Sequence, residues 1–412
     1  MVNTVTQKQH ATMDQFSHRD NQLLIAGRTV SEVVTIAGQT PCYVYDKSVI
    51  KANVERLRHY FPQISLHYAI KANPFSPLLS YMAQQVDGLD VASGQELHLA
   101  LATSMDNRNI SFAGPGKSER EIAMALASNI TLNVESKTEL QRIIEQAEKL
   151  DSKANIALRL NPDFELKSSG MKMGGGPQQF GIDVEQLSDL IEPLRHPRLV
   201  FQGLHIFTGS QNLRPESIIS AHNNIFALVE RLVEQYHFQL HHLNIGGGFG
   251  IPYFPGETPL ELEPIADNLQ QLKKQYAHLL ADCEIILELG RYLVGNAGLY
   301  LCQVTDTKVS RGKRYLITNG GLHHHLAASG NFGQVIRKNY PLAVATQMKS
   351  EQQEVVDVVG PLCTPLDILG SNISLPKAEI GDIIAVYQSG AYGYSASPRD
   401  FLSHPAPVQL LL

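Results

Sequence analysis

The stretch Ile64-Ser65-Leu66-His67-Tyr68-Ala69-Ile70-Lys71-Ala72-Asn73-Pro74 alternates in character along its length. A period of two sets Ile64, Leu66, Tyr68 and Ile70 on one face and Ser65, His67, Ala69 and Lys71 on the other, the pattern of a strand. In a barrel strand the apolar face meets the outer helices and Lys71 points into the lumen. Asn73-Pro74 ends the strand, since proline has no N–H for the ladder. Lys71 is therefore expected at the C-terminal mouth, where barrel enzymes carry their chemistry. A partly desolvated amine there suits Schiff-base formation with a carbonyl compound. The alternative is a strand-end lysine that reaches solvent, and this segment alone does not decide between them.

Outward from Lys71, from about Thr40 to Arg291, short β-branched or aliphatic runs alternate with longer amphipathic ones. Asn155–Leu160, Leu199–His205 and Leu240–Ile245 read as strands, and Glu139–Leu150, Glu185–Leu194 and Ile218–Tyr236 as helices. This rhythm predicts βα units and a parallel sheet. Roughly eight strand candidates in about 250 residues favour a closed (β/α)₈ barrel over an open doubly wound sheet. After Arg291 strand-like runs dominate: Leu299–Val309, Arg314–Thr318, Glu354–Val359 and Asp382–Tyr387. The predicted fold class is thus α/β, a TIM-like barrel at 41–291 followed by an all-β domain at 292–412. Leu23–Ile25 and Val33–Ala37 also read as strands, so residues 1–40 are expected to join the β domain.

Composition narrows the function. The 412 residues are 43% hydrophobic and 18% charged, which fits a globular chain able to bury large cores. A net charge of −6 without Lys/Arg runs lacks the footprint of a nucleic-acid binder. Cys42, Cys283, Cys302 and Cys363 are scattered, with no C-x-x-C pair, which suggests neither a disulfide framework nor a zinc ribbon. The stretch Met1 to Asp14 is polar, and the apolar run near Ile285 to Cys302 is broken by Glu288 and Arg291. A cytoplasmic protein without a membrane partner is expected.

Further motifs carry chemistry. Gly246-Gly247-Gly248-Phe249-Gly250 follows a strand, and successive N–H groups in such a turn can form an anion nest. The bland alternative is a tight βα turn that binds nothing. Spacing rules out a G-x-G-x-x-G fingerprint, and Ser111 stands where a P-loop ending in Gly116-Lys117-Ser118 needs glycine. Glu288-Leu289-Gly290-Arg291 ends another strand. A carboxylate at a barrel mouth needs a cationic partner, either Arg291 or a protonated ring nitrogen of a ligand. Gly360-Pro361-Leu362-Cys363-Thr364-Pro365-Leu366-Asp367 and Ser389-Gly390-Ala391-Tyr392-Gly393-Tyr394 place a cysteine, an aspartate and a tyrosine on turn-rich segments. His323, His324 and His325 are consecutive. Adjacent strand residues cannot all face one ion, so solvent or substrate contact is expected for them and no metal site.

Taken in order, these residues resemble the family of diaminopimelate and ornithine decarboxylases, the fold type III enzymes of pyridoxal 5'-phosphate. The likeness runs from about Thr40 to Pro407 through Tyr68-Ala69-Ile70-Lys71-Ala72-Asn73, Leu89-Asp90-Val91, Ala157-Leu158-Arg159, Phe180-Gly181-Ile182, Gly209-Ser210-Gln211, Gly246-Gly247-Gly248, Glu288-Leu289-Gly290-Arg291, Gly360-Pro361-Leu362-Cys363 and Gly390-Ala391-Tyr392-Gly393. The resemblance implies that Lys71 carries the cofactor and that Glu288 pairs with its ring nitrogen. It places Gly248, Arg291, Ser210 and Tyr392 around the phosphate, with Asp90, Arg159, Phe207, Gly247 and Gly290 completing the cofactor-binding set. Cys363 becomes the proton donor, reaching the site from the partner of a homodimer. Arg337, Tyr340 and Thr364 are the candidate substrate contacts.

A narrower likeness lies in Met171-Lys172-Met173-Gly174, His205-Ile206-Phe207-Thr208, Asn319-Gly320-Gly321-Leu322-His323 and Phe401-Leu402-Ser403-His404. These resemble decarboxylases associated with exosortase A and exopolysaccharide loci, and relatives acting on carrier-bound or citrate-conjugated amino acids. Two departures from diaminopimelate decarboxylases matter. Phe207 stands where those carry a stacking histidine, and can stack but not hydrogen-bond. Thr364-Pro365 replaces the glutamate that reads the far ammonium, which should weaken selection for a diamino acid. The implied activity is decarboxylation of an amino acid or amino-acid conjugate to a primary amine and CO₂. The alternatives are diaminopimelate decarboxylase proper, an amino-acid racemase on the same barrel, and a catalytically silent binding relative.

Overall fold

The computed structural model describes residues 9–164, 171–172, 174–280 and 282–412. Residues 1–8 of the N-terminal segment, and Met173 of the Met171–Gly174 motif, lie outside them. The chain divides into two units, one of residues 54–250 and 260–290, the other of residues 1–53, 251–259 and 291–412.

The first unit is a barrel. Its strands are Ser65–Ala69, Gly88–Val91, Ile110–Phe112, Thr131–Val134, Ala154–Asn161, Leu199–Ile206, His242–Gly247 and Glu284–Leu289. Each pairs in parallel with the next, and Glu284–Leu289 pairs with Ser65–Ala69 to close the ring. Ile182–Asp183 adds to the Ala154–Asn161 strand. Register sets residues level across the ring: Ala69 faces Asp90, His205 faces Arg159, and Gly247 faces Glu288.

Local sequence explains the surrounding helices. In Lys137–Lys149, Ser136 caps the N-terminus by accepting from the Glu139 N–H, and Leu140, Ile143, Ile144 and Ala147 form the buried stripe. Pro215–Tyr236 begins with proline in its first turn and buries one face through Ile218, Ile225, Val229 and Leu232. The expected helix at Glu185–Leu194 is instead a 3₁₀ run, Val184–Leu190, followed by one α-turn, Ile191–Leu194. The N-terminus of the 3₁₀ run has no side-chain cap, and Pro193 supplies no N–H.

The second unit is built on a sheet that runs Leu342–Val344, Ile383–Val386, Gly298–Ser310, Lys313–Thr318, Gln353–Val359, Ile368–Pro376. Cys42–Tyr45 pairs with Gly298–Ser310 and with Val408–Leu411. Tyr43, Tyr45, Tyr300 and Cys302 lie in its core. Gln22–Ile25 is a strand as expected, whereas Val33–Ala37 belongs to the helix Val30–Ala37. The β-branched residues suggested a strand, but Thr29 and Glu32 form a reciprocal capping box and Gly38 closes the helix in the left-handed region.

Candidate functional site

Lys71 does not lie within its strand. The strand ends at Ala69, and Ile70–Ala72 form a 3₁₀ turn, so the lysine sits one turn beyond the ladder with its side chain exposed. Its Nζ is 5.6 Å from the centre of the Phe207 ring. Phe207 follows the Leu199–Ile206 strand, and Gly246 leaves room for its ring: a Cβ there would stand 2.7 Å from Phe207 Cδ2. Gly246 and Gly248 have φ of +68° and +70°, conformations that favour glycine. The Asn212 N–H donates to Gly248 O at 2.9 Å, which ties this turn to the one carrying Gly209 and Ser210.

Glu288 is buried near the end of its strand. His205 Nε2 lies 3.2 Å from Glu288 Oε2, and Asn244 Nδ2 donates to the same oxygen at 3.4 Å. Burial alone would raise the Glu288 carboxyl, but His205 first, then Lys71 and Arg159, outweigh it and hold the carboxyl well below its ordinary range. Asp90 is buried beside His67, with His67 Nδ1 at 3.4 Å from Oδ1. Burial lowers the His67 imidazole, yet Asp90, together with Glu284 and Glu288, outweighs this and leaves it raised. Ser111 also donates to Asp90 Oδ1, at 2.5 Å, while Asp90 Oδ2 has no hydrogen-bond partner among the described residues. Arg159 donates to Glu135 at 3.0 Å and lies 5.1 Å from the Phe180 ring.

The β unit carries the other candidates. Arg291 donates to the Tyr253 hydroxyl at 2.9 Å, and its guanidinium lies 4.7 Å from the Tyr392 ring. Arg337 is held by three acceptors, Ser329 O, Asn339 Oδ1 and Ile368 O. Tyr340 is buried against Tyr253, with ring centres 4.7 Å apart. Cys363 is exposed, and the Thr364 hydroxyl accepts from the Leu366 N–H at 3.3 Å. Asp367 beneath them accepts from Leu322 N at 2.6 Å on one oxygen and from Leu362 N at 2.8 Å on the other.

Of the solvent or substrate contact expected for the three histidines, solvent contact does not hold. His323, His324 and His325 lie buried in a turn rather than a strand. His324 Nε2 pairs with Pro405 O and His325 Nε2 with Ser389 Oγ, both at 2.9 Å. Among the described residues no group of three or more His, Cys, Asp or Glu could hold a metal ion, and no helix is long and apolar enough to cross a membrane.

His205, Asn244 and Tyr253 did not stand out in the sequence. His205 could have been found by alternation, being two residues before Phe207 on a strand-like run. Tyr253 carried no local signal, since Arg291 meets it only through the fold.

The fold and these side chains define a barrel protein equipped for lysine-based chemistry beside a buried, ionised carboxylate. Comparison with known proteins makes this specific. Residues 47–295 match the model of the pyridoxal-dependent decarboxylase family's pyridoxal binding domain. The L-glutamyl-(BtrI acyl-carrier protein) decarboxylase of Niallia circulans is 38% identical over 383 residues, 90% of this chain and 89% of the relative. The diaminopimelate decarboxylase of Aquifex aeolicus is 34% identical, over 96% of this chain and 91% of its own. The crystal structure of diaminopimelate decarboxylase from M. jannaschii superposes with a TM-score of 0.88 at 28% identity, covering 97% of this chain and 92% of that one. The chain belongs to the pyridoxal-dependent decarboxylases: it is an amino-acid carboxy-lyase whose cofactor is pyridoxal 5'-phosphate.

The residues present fit that cofactor. An exposed lysine amine, an aromatic ring beside it, a buried carboxylate and a glycine turn with no room for side chains would suit its aldehyde, ring face, ring nitrogen and phosphate.

Proposed function

We propose that the enzyme decarboxylates an amino acid whose side-chain end is capped, by acylation or by linkage to a carrier, and releases the corresponding primary amine. One observation carries this reading. Asp367 is the only carboxylate in the Cys363 loop, Gly360–Asp367, and both its oxygens are taken by backbone N–H groups. Thr364 and Pro365 add no charge, so the loop offers no uncommitted carboxylate to a distal ammonium. The extent of identity to the carrier-protein decarboxylase of N. circulans supports the same reading.

The bound cofactor supplies the sink for the electron pair left when CO₂ departs. In this reading Lys71 binds it covalently and Glu288 keeps a proton on its ring nitrogen. Phe207 would stack, and Ser210, Gly248, Arg291 and Tyr392 would take the phosphate, with Asp90, Arg159, Gly247 and Gly290 lining the cavity. Cys363 delivers a proton to the former α carbon from the partner subunit of a homodimer. Thr364 contacts substrate, whereas the three bonds of Arg337 and the burial of Tyr340 support a role for these two in shaping the loop behind it. The enzyme is assigned to the cytoplasm and to the exosortase-associated, exopolysaccharide-linked group that its motifs resemble.

The test is CO₂ release by holoenzyme from matched substrates: diaminopimelate, lysine and ornithine against glutamate borne as a thioester on a pantetheine arm or carrier protein. Preference for the conjugate by at least about a hundredfold in kcat/KM is expected. Equal or better turnover of diaminopimelate would refute the reading.

A further inference from the structure

Two buried polar contacts converge on one atom of Glu288. His205 Nε2 at 3.2 Å and Asn244 Nδ2 at 3.4 Å both meet Oε2, and no hydrogen bond among the described residues falls on Oε1. His205 comes from the Leu199–Ile206 strand and Asn244 from its neighbour, level with each other in register. The imidazole is 2% exposed, too enclosed for solvent to compensate a poor partner. Neither ring nitrogen completes a hydrogen bond among the described residues, and the 3.2 Å approach of Nε2 to Glu288 Oε2 is an ion-pair contact. We infer that His205 is a positioning residue: it engages Oε2 of Glu288, keeps the carboxylate ionised, and leaves Oε1 to face the ring nitrogen of the cofactor.

Physical chemistry requires such a partner. A buried carboxylate without compensation takes up a proton, and a neutral acid cannot hold a pyridinium. Among the groups that favour the Glu288 anion, His205 contributes ahead of Lys71 and Arg159. Lys71 is engaged with the cofactor during the reaction, and Arg159 is bonded to Glu135, so His205 is the partner whose ring is not otherwise committed. The other titratable groups of the neighbouring strands are His67 beside Asp90, His242 and Glu284. Burial pushes His242 down to about 4, so it brings no charge to the pair at neutral pH.

The inference rests on Glu288 serving the ring nitrogen, and the experiment separates the two. Holoenzymes carrying His205→Leu, His205→Gln, Glu288→Gln and the double change His205→Leu/Glu288→Gln are compared by kcat, KM and the visible absorbance of bound cofactor across pH. Loss of the 3.2 Å contact with a buried charged group predicts that His205→Leu lowers kcat by about 10- to 100-fold with KM within about threefold. Its absorbance transition and the acid limb of kcat should both move up by about one pH unit, since Glu288 then protonates more readily. His205→Gln, which keeps an N–H donor, should recover most of the loss. The double variant should be no worse than Glu288→Gln alone. If His205→Leu does not fold, the pH profile of His205→Gln carries the test, with a shift of the same sign expected. Wild-type kcat and absorbance in the His205 variants, or losses that add in the double variant, would overturn the inference while leaving Glu288 its role. An unimpaired Glu288→Gln enzyme would overturn both.

Discussion

Gly248 passes so close to Gly209 that a Cβ on it would stand 2.1 Å from the Gly209 carbonyl oxygen. The two turns meet backbone to backbone because neither carries a side chain there. Gly248→Ala collides with that oxygen and forces alanine to φ +70°, a strain of about 1–3 kcal/mol. The expected result is a cofactor affinity at least about tenfold weaker, by titration of apoenzyme. Gly381→Ala is the control, since Gly381 has φ +100° and nothing within 4 Å. It should lower the melting temperature without altering cofactor affinity, and weakening in both variants alike would contradict the account.

Asp367 joins the turn before His323 to the loop of Cys363 through its two backbone acceptor bonds. Burial pushes the Cys42, Cys283 and Cys302 thiols up to about 12, whereas Cys363 is exposed. Mild alkylation of native enzyme should therefore modify Cys363 first and abolish turnover with the cofactor absorbance intact. Asp367→Ala should speed that labelling and lower kcat, because the loop loses its anchor. Unchanged labelling and turnover in the variant would show that Asp367 is not what holds the loop.

His325 sets a pH limit on the fold. The Ala328 N–H donates to its Nδ1 at 3.2 Å and its Nε2 pairs with Ser389 Oγ, so the folded ring is neutral. Burial pushes its pKa down to about 3, from an ordinary value of 6.5. The unfolded state then binds more protons between those values, and stability falls as pH drops from about 6.5 toward 3. His325→Asn should lower stability at pH 7 but flatten that decline, as read from urea midpoints at several pH values. A variant with the wild-type slope would assign the decline elsewhere.

Much of this was legible in the sequence, for identifiable reasons. The short aliphatic runs Asn155–Leu160 and Leu199–His205 are what strands of a parallel barrel require, and the strands run close to those bounds. Asn73-Pro74 made a strand end near Lys71 readable, but the ladder already stops at Ala69, and the 3₁₀ turn Ile70–Ala72 was not readable, since Ile70 fits either conformation. The β-branched content of Val33–Ala37 favours a strand, but the Thr29 and Glu32 capping pair overrides it. That residues 251–259 belong to the β unit leaves no mark in hydrophobic period. Asn244 and His205 act on Glu288 across strands, and one chain read in order does not reveal which side chains share a level.

The composite site predicted for a homodimer is open to complementation. Lys71→Ala and Cys363→Ala subunits, each inactive alone, should regain about a quarter of wild-type activity after random exchange. A mixture that stays inactive despite demonstrated exchange would place Cys363 in its own chain's site.

The central claim, that Lys71 carries pyridoxal phosphate for decarboxylation, is tested most directly by borohydride reduction of the holoenzyme followed by peptide mass spectrometry. A phosphopyridoxyl group on the peptide containing Lys71, with parallel loss of CO₂ release and of the visible band, is the predicted result. Label on another lysine, or CO₂ release that survives complete reduction, would contradict it.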